Sequence, residues 1–286
     1  MTDLPRPDVT GFYHGPTHSI AYLVADAATR RAAIIDPVLD FDANSGRVST
    51  AFADYMMNTA IARGLTIDWI LDTHPHADHF SAAAYMKEKH DAPTAIGEKV
   101  IEVQKLWQVI YNLPQYRTDY WDRLFADGER FKLGSLDVSV MLHPGHTLAS
   151  ITYVIGDAAF IHDTLFEPDA GTARADFPGG SADRLYDSIE SILSLPDDTR
   201  LFTGHDYRPG GRSARWQASV AEQKQNMHLQ KAPDRKSFVA MREARDKTLP
   251  LPKLMLAALQ VNLRGGRLPE PEDNDRSYLK IPLDAF

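Results

Sequence analysis

The stretch ILDTHPHADHF, residues 70–80, places three histidines and an aspartate in six positions, His74 to His79, directly after an apolar run. Imidazole and carboxylate groups this dense are costly to bury without a shared partner. Neutral imidazole together with carboxylate is the usual donor set for zinc or non-haem iron. The chain must therefore fold so that a strand hands this loop to a metal, with further donors arriving from elsewhere.

The neighbouring pattern supports that arrangement. HSIAYLVAD (18–26) and RAAIIDPV (31–38) read as strands joined by a short polar turn, and residues 49–64 space their apolar side chains as a helix that ends in glycine. TIDWILDTH reads as a buried strand and SAAAYMKEKH as a helix, with Ser81 suited to its start. The histidine cluster then lies on a strand-to-helix loop, where rigid scaffolds commonly carry chemistry. From about residue 130 short strands follow, in FKLG, LDVSVMLHP, SITYVIG and AAFIHD. An amphipathic helix follows in SADRLYDSIESILSLP, then a strand in TRLFTGHDY. After residue 210 the pattern is helical and polar. Neither a solenoid-length repeat nor a low-complexity linker divides the 286 residues. The expected architecture is α/β: two sheets packed together with helices outside, in one domain over 1–286 whose residues 211–286 form a helical extension packed on it.

Three further polar sites recur at strand exits: His146 in LHPGHT, Asp163 in FIHDTLF and His205 in FTGHDY. A lone histidine at a strand end is commonly a hydrogen-bonded structural residue. Convergence with His74, His76, Asp78 and His79 at one edge of the sheets makes the set a candidate metal site.

Composition narrows the function. Hydrophobic residues make up 43% and charged residues 24%, ordinary for a soluble globular enzyme. A net charge of −8 argues against nucleic-acid binding, which needs a basic patch. No apolar run approaches the roughly 20 residues of a membrane span, and the N-terminal stretch lacks a signal pattern, so a cytoplasmic protein is expected. With no cysteine in the chain, disulfides, thiolate nucleophiles and thiolate ligands are excluded. Any sulfur this protein handles must arrive on a substrate.

The set THPHADH, HPGHT, the Asp163 strand and His205, in that order, resembles the metallo-β-lactamase superfamily over about residues 12–210. The resemblance implies an αβ/βα sandwich of two mixed sheets with metal at the sheet edges. Within the superfamily, IIDPVLDFD (34–42), GTARADFPGG (171–180), GHDY (204–207) and the tail LPLPKLMLAALQVNLRGG resemble the persulfide dioxygenases, in their bacterial subtype. Glyoxalase II shares DTLF and the metal motif but usually carries a different segment at ADFPGG. In the superfamily the residue ahead of the aspartate is usually glycine; here it is His162.

By that resemblance His74, His146 and Asp163 hold one Fe(II) per chain, leaving positions for a persulfide sulfur and O₂. His76, Asp78, His79 and His205 then orient those ligands, with Asp78, His79 and His205 acting in catalysis. In hydrolase relatives the same four residues complete a second metal site. The implied reaction oxidises glutathione persulfide, or a similar small persulfide, to sulfite and thiol in sulfide detoxification. The alternative is a glyoxalase II-like thioester hydrolase with two zinc ions. Arg174 and Tyr207 are candidates for substrate binding; their structural alternatives are an ion pair to Asp176 and core packing. The aromatic-rich stretch 107–125 suits a cover over the cleft, an oligomer contact or plain core packing, and a homodimer or higher homo-oligomer is the expected assembly.

Overall fold

A computed structural model of the chain describes residues 4–113 and 117–285. In chain order the strands are β1 (Asp8–His14), β2 (Ser19–Asp26), β3 (Arg31–Ile35), β4 (Val38–Asp42), β5 (Arg47–Ser49), β6 (Thr66–Leu71), β7 (Phe80–Ser81) and β8 (Thr94–Gly97). They continue with β9 (Arg123–Phe125), β10 (Arg130–Leu133), β11 (Leu136–Leu142), β12 (Ile151–Ile155), β13 (Ala158–His162), β14 (Arg200–Thr203) and β15 (Gln217–Ser219). The helices are α1 (Ala51–Ala62), α2 (Ala83–His90), α3 (Val100–Tyr111), α4 (Ala182–Leu193), α5 (Val220–Gln223), α6 (Met227–Lys231), α7 (Arg235–Asp246) and α8 (Met255–Asn262).

One sheet has the order β1-β2-β3-β6-β8-β9 and the other β10-β11-β12-β13-β14-β15. Both are mixed: β3, β6, β8 and β9 run parallel, as do β13 and β14, while the remaining pairs are antiparallel. The expectation of two packed mixed sheets with helices outside holds.

Strand β2 shows why. Successive side chains alternate between faces, and here each face is buried. Ile20, Tyr22 and Val24 join Val138, Val140, Tyr153, Phe160 and Phe202 in the core between the sheets. Ala21, Leu23 and Ala25 join the cluster beneath α1, α2 and α8. A strand covered on two faces reads as a continuous apolar run. On the other outer face, Leu185, Ile189 and Ile192 of α4 meet Phe238 of α7 over Ala159, Ile161 and Leu201. The α4 helix starts where its pattern predicts, with the Ser181 hydroxyl accepting from the Arg184 N–H.

Other elements differ from the sequence pattern. Strands β4, β5 and β7 form a small sheet of their own, and its central residues are too polar and too few to register as a periodic run. Ser81 lies one residue ahead of the N-cap Ala82: it closes β7, and its hydroxyl donates to the Asp72 carboxylate while accepting from the N–H of Ala83, the first residue of α2. Gln217–Ser219, inside the stretch read as helical, pairs with β14 as an edge strand. The aromatic stretch 107–125 packs as core: Trp107, Tyr111 and Trp121 are buried together, while its residues 114–116 lie outside the described set. Among the described residues, no helix is long and apolar enough to cross a membrane.

Candidate metal centre

Four strand ends meet at one edge of the sandwich. Beyond Leu71, β6 continues into Asp72, Thr73 and His74; beyond Leu142, β11 continues into HPGH; β13 ends at His162 just before Asp163; and β14 ends two residues before His205. Two glycines permit the close approach. A side chain at Gly145, where φ is +140°, would strike the backbone of Leu185 at 2.4 Å, so glycine lets the His146 loop lie against α4. At Gly204 a Cβ would come within 2.6 Å of the Asp163 carboxylate.

His74, His146 and Asp163 are buried and present ligand atoms within 4.8 Å of one another. Asp163 Oδ2 lies 3.9 Å from His74 Nε2 and 3.7 Å from His146 Nε2. The other nitrogen of each ring is occupied. His146 Nδ1 donates to the Arg174 carbonyl at 2.9 Å, which leaves Nε2 with its lone pair. His74 Nδ1 meets the Thr73 hydroxyl at 3.0 Å, and that hydroxyl donates to Asp36. His74 Nε2 is buried with no hydrogen-bond partner, a costly state that a cation relieves. Two imidazoles and one carboxylate with the inward atoms free fit a divalent transition metal.

Of the remaining motif residues, His205 and Asp78 are engaged with one another, whereas both ring nitrogens of His76 and Nε2 of His79 are, like His74 Nε2, buried without a hydrogen-bond partner. His205 Nδ1 is 2.6 Å from Asp163 Oδ1 and its Nε2 is 2.7 Å from Asp78 Oδ2. The Ser19 hydroxyl touches Asp78 at 2.9 Å, His79 at 3.1 Å and His205 at 3.2 Å. His76 lies 3.0 Å from the Asp36 carboxylate and its ring is 4.2 Å from that of His79. His76, Asp78 and His79 also present ligand atoms within 4.8 Å of one another.

The electrostatics follow this allotment. Burial lowers His74 well below the ordinary imidazole range and lowers His146. Burial acts the same way on His205, but the Asp163 carboxylate leads the groups that outweigh it, and His205 is raised well above that range. His76 is raised to about 9, with Asp36 overcoming burial. Burial also opposes charge on Asp163, yet the neighbouring His205 and His146 hold it down at about 2.

His162 takes the place of the usual glycine at a φ of +43°, a left-handed conformation that costs a non-glycine residue about 1 kcal/mol or more. Its ring hydrogen-bonds the Thr164 hydroxyl at 3.1 Å and sits 5.6 Å from the His74 ring. Of the substrate-binding candidates, the Arg174 guanidinium is held by Asp176 at 2.7 and 2.8 Å and by the Pro250 carbonyl. What Arg174 brings to His146 is its backbone carbonyl. Tyr207 is 53% exposed and stacks on His205 at 5.6 Å.

Three supporting groups escaped the sequence reading. Ser19 and Asp36 sit within or just after apolar strands. Asn262, at the end of α8, donates from Nδ2 to the carbonyls of His76 and His79 at 2.7 Å each and accepts from the Ser81 N–H at 2.8 Å. The visible signal for each was a polar residue at the edge of or within an apolar run.

A family model described as the metallo-beta-lactamase superfamily matches residues 14–205, and the chain belongs to that superfamily. It is 63% identical over 286 residues to the "Beta-lactamase hydrolase-like protein" of Xylella fastidiosa strain 9a5c, covering 99% of this chain and spanning 66% of that protein's length. It is 45% identical over 268 residues to "Glyoxylase B2" of Dictyostelium discoideum, with 92% of each covered. It is 26% identical over 253 residues to the human mitochondrial protein "Persulfide dioxygenase ETHE1", covering 87% of this chain and 84% of that one. The crystal structure of ETHE1 from Myxococcus xanthus superimposes with a TM-score of 0.73 at 29% identity, covering 91% of this chain and all of that one.

Proposed function

We propose that this metallo-β-lactamase superfamily member is an iron-dependent persulfide dioxygenase. It converts glutathione persulfide, or a similar small persulfide, with O₂ and water to the thiol and sulfite. The oxidation balances: the outer sulfur gives up four electrons, dioxygen accepts four, and water supplies the third oxygen. The observation that carries this reading is the split at Asp163. One carboxylate oxygen faces His74 and His146, while the other is taken by His205, whose second nitrogen is taken by Asp78. That makes His74, His146 and Asp163 a set of two imidazoles and a carboxylate whose inward atoms are not engaged with His205 or Asp78, the donor pattern of non-haem iron oxygenases. Similarity to the human and Myxococcus proteins supports the same reading.

Fe(II) bound there supplies one-electron chemistry with O₂, which redox-inert zinc lacks. The chain's own residues do the rest. The Arg174 carbonyl and the Thr73 hydroxyl hold the two imidazoles in one tautomer and orientation. His205, raised by its carboxylate partners, keeps a proton beside Asp163. Tyr207, stacked on His205 and half exposed, offers its hydroxyl to the incoming persulfide.

A thioester hydrolase with two zinc ions is the second reading. It is favoured by the grouped His76, Asp78 and His79 and by similarity to proteins named hydrolase-like and glyoxylase. Zinc held by those residues would supply an activated water for attack on a carbonyl. Metal analysis of anaerobically purified protein, followed by oxygen uptake with glutathione persulfide, separates the two. The dioxygenase reading expects about one iron per chain and sulfite formation. Thioester turnover with zinc at two sites and no oxygen uptake would overturn it.

A further inference from the structure

The wall beside His146 is unlike the rest of the site. Pro75 and Ala77 of the metal loop, Val103 and Trp107 of α3, Phe177, Pro178 and Leu259 of α8 line a slot that touches His146 and Thr147. The slot has a volume of about 20 Å³, room for one or two water-sized molecules. Its two polar residues turn their polar atoms elsewhere. His146 Nδ1 is bound to the Arg174 carbonyl, and its Nε2 faces Asp163. The Thr147 hydroxyl is bound to Ser150 at 2.8 Å and to the Ala149 N–H. A water needs two to four polar partners to stay in a buried site, and apolar cavities without them stay dry or take apolar guests such as xenon. The lining is mostly apolar, and the His146 Nδ1 and the Thr147 hydroxyl are already engaged.

Size and chemistry limit the occupant. A tripeptide does not fit, and an anionic persulfide sulfur would forfeit its hydration there with no compensating donor. The polar groups gather instead around His205, where Tyr207, His18 and Ser19 lie. We propose that the apolar slot lined by Val103, Trp107, Phe177 and Leu259 is a dioxygen-binding site, holding O₂ against the metal ligand His146 while the persulfide enters on the His205 side. This rests on the dioxygenase reading. It gives the two reactants separate approaches to one centre, so that neither must displace the other before they meet.

Crystals of the wild-type protein pressurised with xenon test the slot directly and without turnover. Xenon density between Val103 and Leu259 is expected, and its absence overturns the proposal. Val103→Phe and Leu259→Phe fill the slot from two different helices. In iron-loaded protein each is expected to raise the KM for O₂ by about tenfold while leaving the KM for glutathione persulfide and the iron content unchanged. An unchanged KM for O₂ in the two variants overturns the assignment, and so does a rise in the persulfide KM instead, which would place the organic group in the slot. A wild-type enzyme that loads iron but takes up no oxygen brings down the dioxygenase reading itself, an outcome seen before any variant is made.

Discussion

His146 and His205 are the same residue type at the same kind of place, a loop just beyond a strand, and each is next to Asp163. Their surroundings differ. His146 gives one nitrogen to a backbone carbonyl and turns the other toward Asp163 Oδ2 at 3.7 Å, too far for a hydrogen bond. His205 is gripped at each nitrogen by a carboxylate, at 2.6 and 2.7 Å. Burial therefore lowers His146, whereas the carboxylates raise His205 despite its burial. A neutral imidazole with a free lone pair is suited to bind a metal; one held between two carboxylates is suited to hold a proton and brace its neighbours. The partner of the second ring nitrogen, not the histidine itself, sets the role.

The sharpest way to break this contrast is to remove one side of it. Asp163→Ala or His146→Ala takes away one of three proposed ligands, and iron content and oxygen uptake are each expected to fall by about 10³-fold or more, with the circular dichroism spectrum retained. Asp78→Ala acts on the other side. Oxygen uptake is expected to fall by about 10–100-fold with much of the iron kept, as is usual for groups that orient ligands. If Asp78→Ala strips iron as fully as Asp163→Ala, the distinction between the two histidines collapses.

Asn262 supports the loop that both sides share. Asn262→Ala leaves two carbonyls and one N–H of the metal loop without their partner. The expected result is a loss of about 2–3 kcal/mol in denaturant unfolding, with iron affinity reduced by about tenfold. Ser19→Ala removes a hydroxyl shared by Asp78, His79 and His205 and bound also to the Thr17 hydroxyl. An effect of about two- to fivefold on turnover with iron content untouched would sharpen the contrast, whereas lost iron would blur it.

Two buried histidines outside the centre give the smallest and most gradual effect. Burial lowers His143 and His228 to about 4 each. The unfolded chain takes up protons on these residues below about pH 6.5, while the folded chain does not until near 4. Their contribution to stability is therefore complete above pH 6.5 and declines as the pH falls toward 4. His143→Gln is expected to flatten part of that slope in urea titrations of metal-free protein, and an unaltered slope would refute the assignment.

The metal loop was legible because four donor side chains in six residues have few other uses. His146, Asp163 and His205 were legible because each ends a run apolar enough to be a strand. Ser19 and Asn262 were not. Ser19 meets His205 across 186 residues of chain, and Asn262 reaches His76 across the same separation. Local periodicity carries no record of such partners. The small sheet of β4, β5 and β7 escaped for another reason: strands of two to five residues with partly polar sides are too short to establish a period. Arg174 shows the limit at a single side chain. Its segment was readable, but the capture of its guanidinium by Asp176 left only its carbonyl for the site.

Covalent order alone determined which donor types leave which strands, and hence that a chain with this motif set belongs to a two-sheet metal-binding fold. Residue type and position along the chain are all that strand exits require. Packing of the two sheets decided which atom of each donor is free: Oδ2 rather than Oδ1 of Asp163, and Nε2 rather than Nδ1 of His146. It also placed α3 and α8 so that an apolar slot meets His146. Those choices depend on distances of a few ångströms between segments far apart in sequence, and a hydrogen bond at 2.6 Å or its absence at 3.7 Å exists only after the sheets have closed on each other.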